Sequence, residues 1–328
     1  MKILALNLPQ FHEVPENDKW WGKGFTEWTN VINAKPVYPG HHQPMAPLNG
    51  NYYDLSKKEA VVAQAELAKC YGVSGFVYFH YWYNGRKLLE KPCEILLNAP
   101  EADIEYCFCW ANHSWTRAWD GKNHQILLGQ IYGGKDDWDR HLDYLLPFFR
   151  DERYIKVDGA PMFVIYNSSD IPEVDEMIEY WNLRLEDEGF SGMYVVEYIS
   201  SKNQTPACSL SQAVYEDEPA YTLRFEISFL EKLRRVLCKF LRLPEYQEYD
   251  AIWNKILKKN RTYDGRTVIQ GGFTAWDNSP RRGSRGCMIV KGSSPEKFCV
   301  YLEALIRRSK TRQDASMDYL ERWANGLL

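Results

Sequence analysis

Short β-rich runs alternate with helical stretches along this chain, and that alternation constrains its fold more than any other feature. The strand-like runs are Ile3–Leu8, Gly75–Tyr81, Glu105–Trp110, Met162–Tyr166, Met193–Ile199, Ala213–Tyr215 and Thr267–Thr274. Helical patterns occupy 57–70, 87–98, 136–150, 172–188 and 295–310. Within 136–150 the apolar residues Trp138, Leu142, Leu145, Leu146 and Phe149 recur at helical spacing, and Gly72 sits where the 57–70 helix would stop. Such an order specifies a mostly parallel sheet covered by helices. No G-x-G-x-x-G follows a strand, so a dinucleotide fold lacks its fingerprint, and no P-loop is present. Seven β/α units in 328 residues fit an α/β fold of the (β/α)8 TIM-type barrel class, with insertions, better than an open sheet.

The eighth unit is the one the sequence does not supply. Residues 316–328 are too short and too polar for a convincing strand plus helix, so the expected barrel lacks its eighth strand or carries a degenerate one. A barrel ended this way exposes edges on its first and seventh strands, which favours oligomerisation or completion by another element. Translating the coding DNA past codon 328 in all three frames tests whether the gene is interrupted there. One barrel domain over 1–328 is expected, with a helical insertion around 226–260. Lys232, Arg234, Arg235, Lys239 and Arg242 of that insertion read as a solvated helical face in preference to a partner or membrane-surface site.

Charge and composition exclude several function classes. A net charge of −4 leaves no basic footprint for nucleic acid. No apolar run approaches the ~20 residues of a membrane span. The opening MKILALNLPQFH reads as a first strand, without the small-residue cleavage site of a signal peptide. The eight cysteines are scattered with no C-x-x-C spacing, so reduced thiols in a cytoplasmic protein are expected, with no metal site and no cofactor.

The aromatic residues are unusual in number and placement: 22 Tyr, 14 Phe and 12 Trp. Seven tryptophans precede residue 121. In a barrel the chemistry lies at the carboxyl ends of the strands and in the loops beyond them. The first strand is followed by Gln10, His12, Trp20, Trp21, Glu27 and Trp28, and the second ends in His80 and Tyr81. The third runs into Trp110, Asn112, Trp115, Arg117, Trp119 and Asp120, and the seventh leads to Trp276, Asp277 and Asn278. A pyranose stacks its C–H faces on aromatic rings and offers an equator of hydroxyls to amides and carboxylates. These positions therefore read as a substrate-binding wall for an oligosaccharide or polysaccharide, with a nucleotide- or lipid-linked sugar as a possible second partner.

Glycosyl transfer usually needs two carboxyl groups in different protonation states. Glu27 and Glu197 are the candidates for catalysis, because Glu197 ends an apolar strand where an unpaired carboxylate is costly. Other roles compete. Glu27 equally caps a turn or pairs with Lys23, and His80 equally serves as a satisfied core histidine. The Asp120-Gly121 dipeptide reads first as a turn, and Glu216 and Asp217 as a solvated acidic loop. Asp137-Trp138-Asp139 matches the D-x-D pattern of nucleotide-sugar enzymes, but it opens a helix, where acidic residues favour the N-terminal dipole.

Five stretches carry a family resemblance: LPQFHEVPENDKWWGKGFTEWTNV (8–31), FVYFHYWYNGRKLLEKP (76–92), CWANHSWTRAWDG (109–121), FRDERYIKVDGAPMFVIY (149–166) and GFTAWDNSPRRGSRG (272–286). In these motifs the chain resembles the WbsX family of glycosyltransferases, whose barrel domain is similar to glycoside hydrolase family 99, the endo-α-mannosidases and endo-α-mannanases. The resemblance implies a (β/α)8 barrel and a role in bacterial surface polysaccharide synthesis, such as O-antigen or capsule. Three departures stand out. His113 occupies a position that is acidic in the family motif, and Gly129-Gln130 stands for a Glu-Gln pair. The eighth-strand W-N-E-W-x-E-G run, which supplies the catalytic glutamates of the hydrolase relatives, is absent, and the chain reads ERWANGLL there. The resemblance thus implies either a carbohydrate-active enzyme, a transferase or an endo-α-mannosidase-type hydrolase, or a glycan-binding relic without turnover.

Overall fold

The computed structural model describes residues 1–117, 122–200, 205–311 and 317–322, with side chains left aside at 122–124, 311 and 317–322. Seven strands form a curled parallel sheet in chain order: β1 (Lys2–Asn7), β2 (Gly75–Tyr83), β3 (Glu105–Trp110), β4 (Ala160–Ile165), β5 (Tyr194–Ile199), β6 (Ala213–Glu216) and β7 (Thr267–Ile269). An eighth strand, β8 (Met317–Arg322), pairs in parallel with the other edge of β1, Lys2 opposite Met317 and Leu4 opposite Tyr319. The two ends of the sheet, β7 and β8, approach within 8 Å at Cα positions without a ladder between them. The architecture is an incomplete (β/α)8 barrel.

The eighth strand is therefore degenerate, not missing. Its polar sequence hid it, because a short strand at the end of a sheet draws its pairing from backbone groups and needs no apolar run. The edge of β1 that the sequence left open is covered by it.

Helices α1 (Pro15–Trp21), α2 (Glu27–Ile32) and α3 (Lys58–Cys70) follow β1, and α4 (Lys91–Leu97) follows β2. Next come α5 (Lys135–Arg150) and α6 (Val174–Asp187), then α7 (Ala220–Phe225), α8 (Phe229–Leu241) and α9 (Tyr249–Lys258) between β6 and β7. Helices α10 (Ser279–Arg282) and α11 (Pro295–Thr311) lie beyond β7. The helical face of α5 foreseen at Trp138, Leu142, Leu145 and Phe149 is buried against the sheet. Gly72 takes a φ of 80° just past α3, a conformation that favours glycine. Gly75 lets β2 approach β3: a Cβ there would lie 2.7 Å from the Glu105 carbonyl oxygen.

One hairpin escaped sequence reading, and the helical 226–260 region, expected to break near Pro244, does so around a strand. A hairpin of Trp115–Arg117 and Lys122–Leu128 projects after β3. The 226–260 region resolves into α8 and α9, separated by the strand Glu245–Glu248, which pairs in parallel with Met288–Lys291. Beneath them Trp253 of α9 stacks between Phe273 and Tyr301, with ring centroids 5.6 and 5.4 Å away, in a second core cluster.

Both faces of the barrel strands are buried, so side-chain period two decides what each residue meets. On β2, His80 and Trp82 turn toward α5, where both stack on aromatic or imidazole rings. Phe79 and Tyr81 therefore take the barrel side. On β5 the same rule puts Tyr198 and Glu197 on opposite faces.

Candidate functional site at the barrel mouth

An aromatic path runs across the carboxyl ends of the strands. Tyr81 meets Trp115 of the projecting hairpin edge-on at 5.4 Å, and Trp115 meets Trp20 of α1 at 5.5 Å. The Arg117 guanidinium lies over Trp21 at 5.3 Å. Deeper in the barrel Phe79 approaches Tyr166 at 6.3 Å, Tyr166 meets Tyr198 at 4.5 Å, and Tyr198 meets Tyr215 at 5.1 Å. Tyr198 and Tyr215 are directly opposed in the β5–β6 ladder. His113, the residue that departs from the family motif, packs on Tyr166 at 5.2 Å. The structure thus brings together Trp20, Trp21, Tyr81, Trp115 and Arg117 of the expected wall. Behind it stand Tyr166 and the fully buried core residues Tyr198 and Tyr215, a tyrosine near the end of each of three successive strands.

Buried polar groups accompany the wall. Asn17, Trp20 and Trp21 share one face of α1 by their spacing. Asn17 is fully buried and neither atom of its amide has a hydrogen-bond partner. Gln10, also buried, leaves its Nε2 without one. His12 is buried too, and burial holds it below its ordinary pKa despite the opposing charge of Asp54.

Other expected wall residues face elsewhere. His80 and His141 of α5 are joined by an Nε2–Nε2 hydrogen bond of 2.8 Å between helix and sheet. Trp110 shares their layer, edge-on to His141 at 4.9 Å. Trp28 is core: it packs on Phe11 and Tyr53, and its Nε1 donates to the Tyr53 carbonyl at 2.8 Å. Asn112 is a clamp: its Nδ2 donates to the Asn167 carbonyl (2.7 Å) and its Oδ1 accepts from the Asn167 amide (2.8 Å). Asp277 accepts from Gln43 Nε2 at 2.7 Å and from the Ser279 amide at 2.8 Å, and His41 Nε2 lies 2.9 Å from its carboxylate. Asn278 accepts from the Met288 amide at 2.7 Å. Trp276 is half-buried and packs against the α9 cluster. Alternation explains His80 and Trp110, because both sit on the helix-facing side of their strands. Trp119 and Asp120 lie outside the described residues.

The two candidate catalytic glutamates sit in separate, closed networks. Glu27 is buried on α2 and held by the fork of Arg281, Nη2 to Oε1 at 2.8 Å and Nε to Oε2 at 3.1 Å. Glu197 is fully buried. It accepts from Ser211 Oγ (2.6 Å), the Ala207 amide (2.8 Å), the Cys208 amide (3.3 Å) and Ser168 Oγ. Arg266 donates to the same Ser211 hydroxyl at 2.7 Å.

At the end of β6, Glu216 and Glu218 enclose the ammonium of Lys259. Burial pushes the Glu218 carboxyl up despite Lys259. The same burial opposes the charge on Lys259, yet the two glutamates hold it above its usual value. Asp217 is different. Its amide continues the ladder by donating to the Ile199 carbonyl at 3.0 Å, so period two puts its side chain on the face of Tyr215. None of these three is a solvated loop residue, since each is buried. Asp137 is buried as well and accepts from Trp82 Nε1 at 3.1 Å, which fits the helix-opening role of its D-x-D run. Among the described residues no group of three or more His, Cys, Asp or Glu is placed to hold a metal ion.

Fold and site together define a (β/α)8-type protein with an aromatic-lined mouth. Within that class the chain belongs to the WbsX glycosyltransferase family, whose model, Glycosyltransferase WbsX, matches residues 3–325. The Xanthomonas campestris pv. campestris protein WxcX is 29% identical over 307 residues, which cover 93% of this chain and 43% of that protein. The chain therefore spans less than half the length of the curated relatives it matches. Among solved structures, a glycoside hydrolase-like protein superposes with a TM-score of 0.57 at 11% identity, covering 98% of this chain and 83% of the other. The GH99 endo-alpha-mannosidase from Bacteroides thetaiotaomicron gives 0.50 at 13% identity, covering 97% and 83%. At these identities the likeness is one of fold. Among the described residues no helix is long and apolar enough to cross a membrane.

Proposed function

We propose that this chain is a carbohydrate-active enzyme that holds a glycan across the barrel mouth during assembly of bacterial surface polysaccharide such as O-antigen or capsule. The observation that carries the reading is the continuous aromatic path from Trp20 through Trp115 and Tyr81, above the Tyr166–Tyr198–Tyr215 row. Sugar rings stack on the half-buried Trp20, Trp21 and Trp115 of such a path. In this proposal Asp217, on the barrel side of β6, is the carboxylate that meets substrate. Glu27 and Glu197 hold the loops around it through the Arg281 fork and the Ser211–Ala207 network. The reading places the reaction in the cytoplasm, where eight scattered thiols stay reduced.

The test is product analysis after incubating the purified protein with nucleotide sugars plus oligosaccharide acceptors, and with mannose-containing oligosaccharides alone. Elongated acceptor supports the transferase. New reducing ends from oligosaccharide alone support the endo-mannosidase-type hydrolase instead. A second reading, glycan binding without turnover, draws on the same closed networks around Glu27 and Glu197. It predicts calorimetric binding with no product. Neither binding nor product refutes all three.

A further inference from the structure

Helix α8 carries a surface that the barrel does not use. Its apolar residues Phe229, Leu230, Leu233, Val236, Leu237 and Phe240 are 54–81% exposed, and no residue of the helix is buried. At helical spacing they occupy one continuous arc, about 20 Å long for thirteen residues. The helix is mounted by its other side. Arg235 pairs with Glu245 at 2.8 Å, Arg234 donates to the Tyr246 carbonyl at 3.0 Å, and Glu231 receives Lys255 at 2.9 Å. Ser228 caps the first turn, its amide donating to Glu231 Oε2 at 2.7 Å. The apolar arc is thus held facing outward.

Its flanks are cationic. Lys232, Lys239 and Arg242 are exposed. The one carboxylate of the helix, Glu231, is engaged by Lys255 and by the cap. Two copies pairing through α8 would bring lysines against lysines with no free carboxylate on the helix to offset them. An anionic bilayer satisfies both halves of the surface: apolar side chains enter the acyl boundary while the flanking cations meet lipid phosphates. We propose that α8 is an interfacial anchor that lays this protein on an anionic membrane surface. The sequence reading of a solvated charged face holds for Lys232, Lys239 and Arg242; Arg234 and Arg235 instead mount the helix, and the apolar arc was overlooked. The proposal stands on α8 alone and does not depend on what the barrel binds.

The experiment is co-sedimentation of the purified chain with phosphatidylcholine vesicles, with and without phosphatidylglycerol, at low and high salt. The expected result is binding to the anionic vesicles that weakens at high salt. Lys232→Gln with Lys239→Gln should weaken it roughly 25-fold, about fivefold per charge. Phe240→Asp with Leu233→Asp should abolish it, with an unchanged circular dichroism spectrum and unchanged glycan binding. No preference for anionic vesicles, or full binding by the Asp variant, overturns the proposal. So does a wild-type dimer in light scattering that the Asp variant dissolves while vesicles bind neither.

Discussion

The His80–His141 pair is expected to make this protein lose stability in mild acid. Both imidazoles are buried and joined at 2.8 Å, an arrangement that needs one ring to donate and the other to accept. Burial, reinforced by Lys87, pushes His80 down to about 3, and burial with His80 beside it pushes His141 well below its ordinary value. Both are neutral in the folded protein, whereas in the unfolded chain each takes up a proton below about 6.5. The unfolded state therefore binds more protons between pH 6.5 and 3, and stability falls as pH drops through that window. From pH 7 to pH 5 His80 contributes a loss of about 2 kcal/mol, and His141 adds to it in the same direction. Buried His12, also shifted down, adds in the same direction. Urea unfolding at pH 7, 6 and 5 measures the slope, and His80→Gln with His141→Gln should remove most of it. A double variant with the same slope as the wild type would refute the argument.

Three further perturbations test the packing. Arg281→Ala leaves the buried Glu27 carboxylate without its fork and should cost about 3 kcal/mol in denaturant unfolding, with Glu27→Gln in the same chain recovering part of it. Gly271→Ala would set a Cβ 2.3 Å from the Glu216 carbonyl oxygen, so about 2 kcal/mol should be lost by the same assay. Glu197→Gln turns an amide hydrogen toward donors that now meet carboxylate oxygens and should lower the melting temperature by several degrees, for a cost of about 2 kcal/mol.

The barrel was legible because alternation of period and element type survives in the residues themselves. Strands β1 to β7 lie where β-rich runs occur, and α5 buries the face its spacing marked. Strand β8 was not legible, because backbone pairing with β1 leaves no apolar signature in MDYLER. The convergence of the loop residues was legible, and the facing of the strand residues was not. Trp20, Trp21, Trp115 and Arg117 converge because their loops surround the mouth. His80 and Trp110 are as aromatic and as close to strand ends, yet period two turns them to α5. Deciding that parity requires knowing which face meets a helix, and His141, some sixty residues further on, supplies that fact only in the fold. Tyr198 and Glu197 repeat the lesson: the carboxylate drew attention, while its neighbour holds the barrel face.

Calorimetric titration of a bound glycan into wild-type protein and Trp115→Ala tests the central claim most directly. Trp115 links Trp20 to Tyr81, so its removal opens the aromatic path at its centre. The account predicts roughly tenfold weaker binding, about 1.4 kcal/mol, with an unchanged melting temperature. Unchanged affinity in a folded Trp115→Ala protein would contradict it.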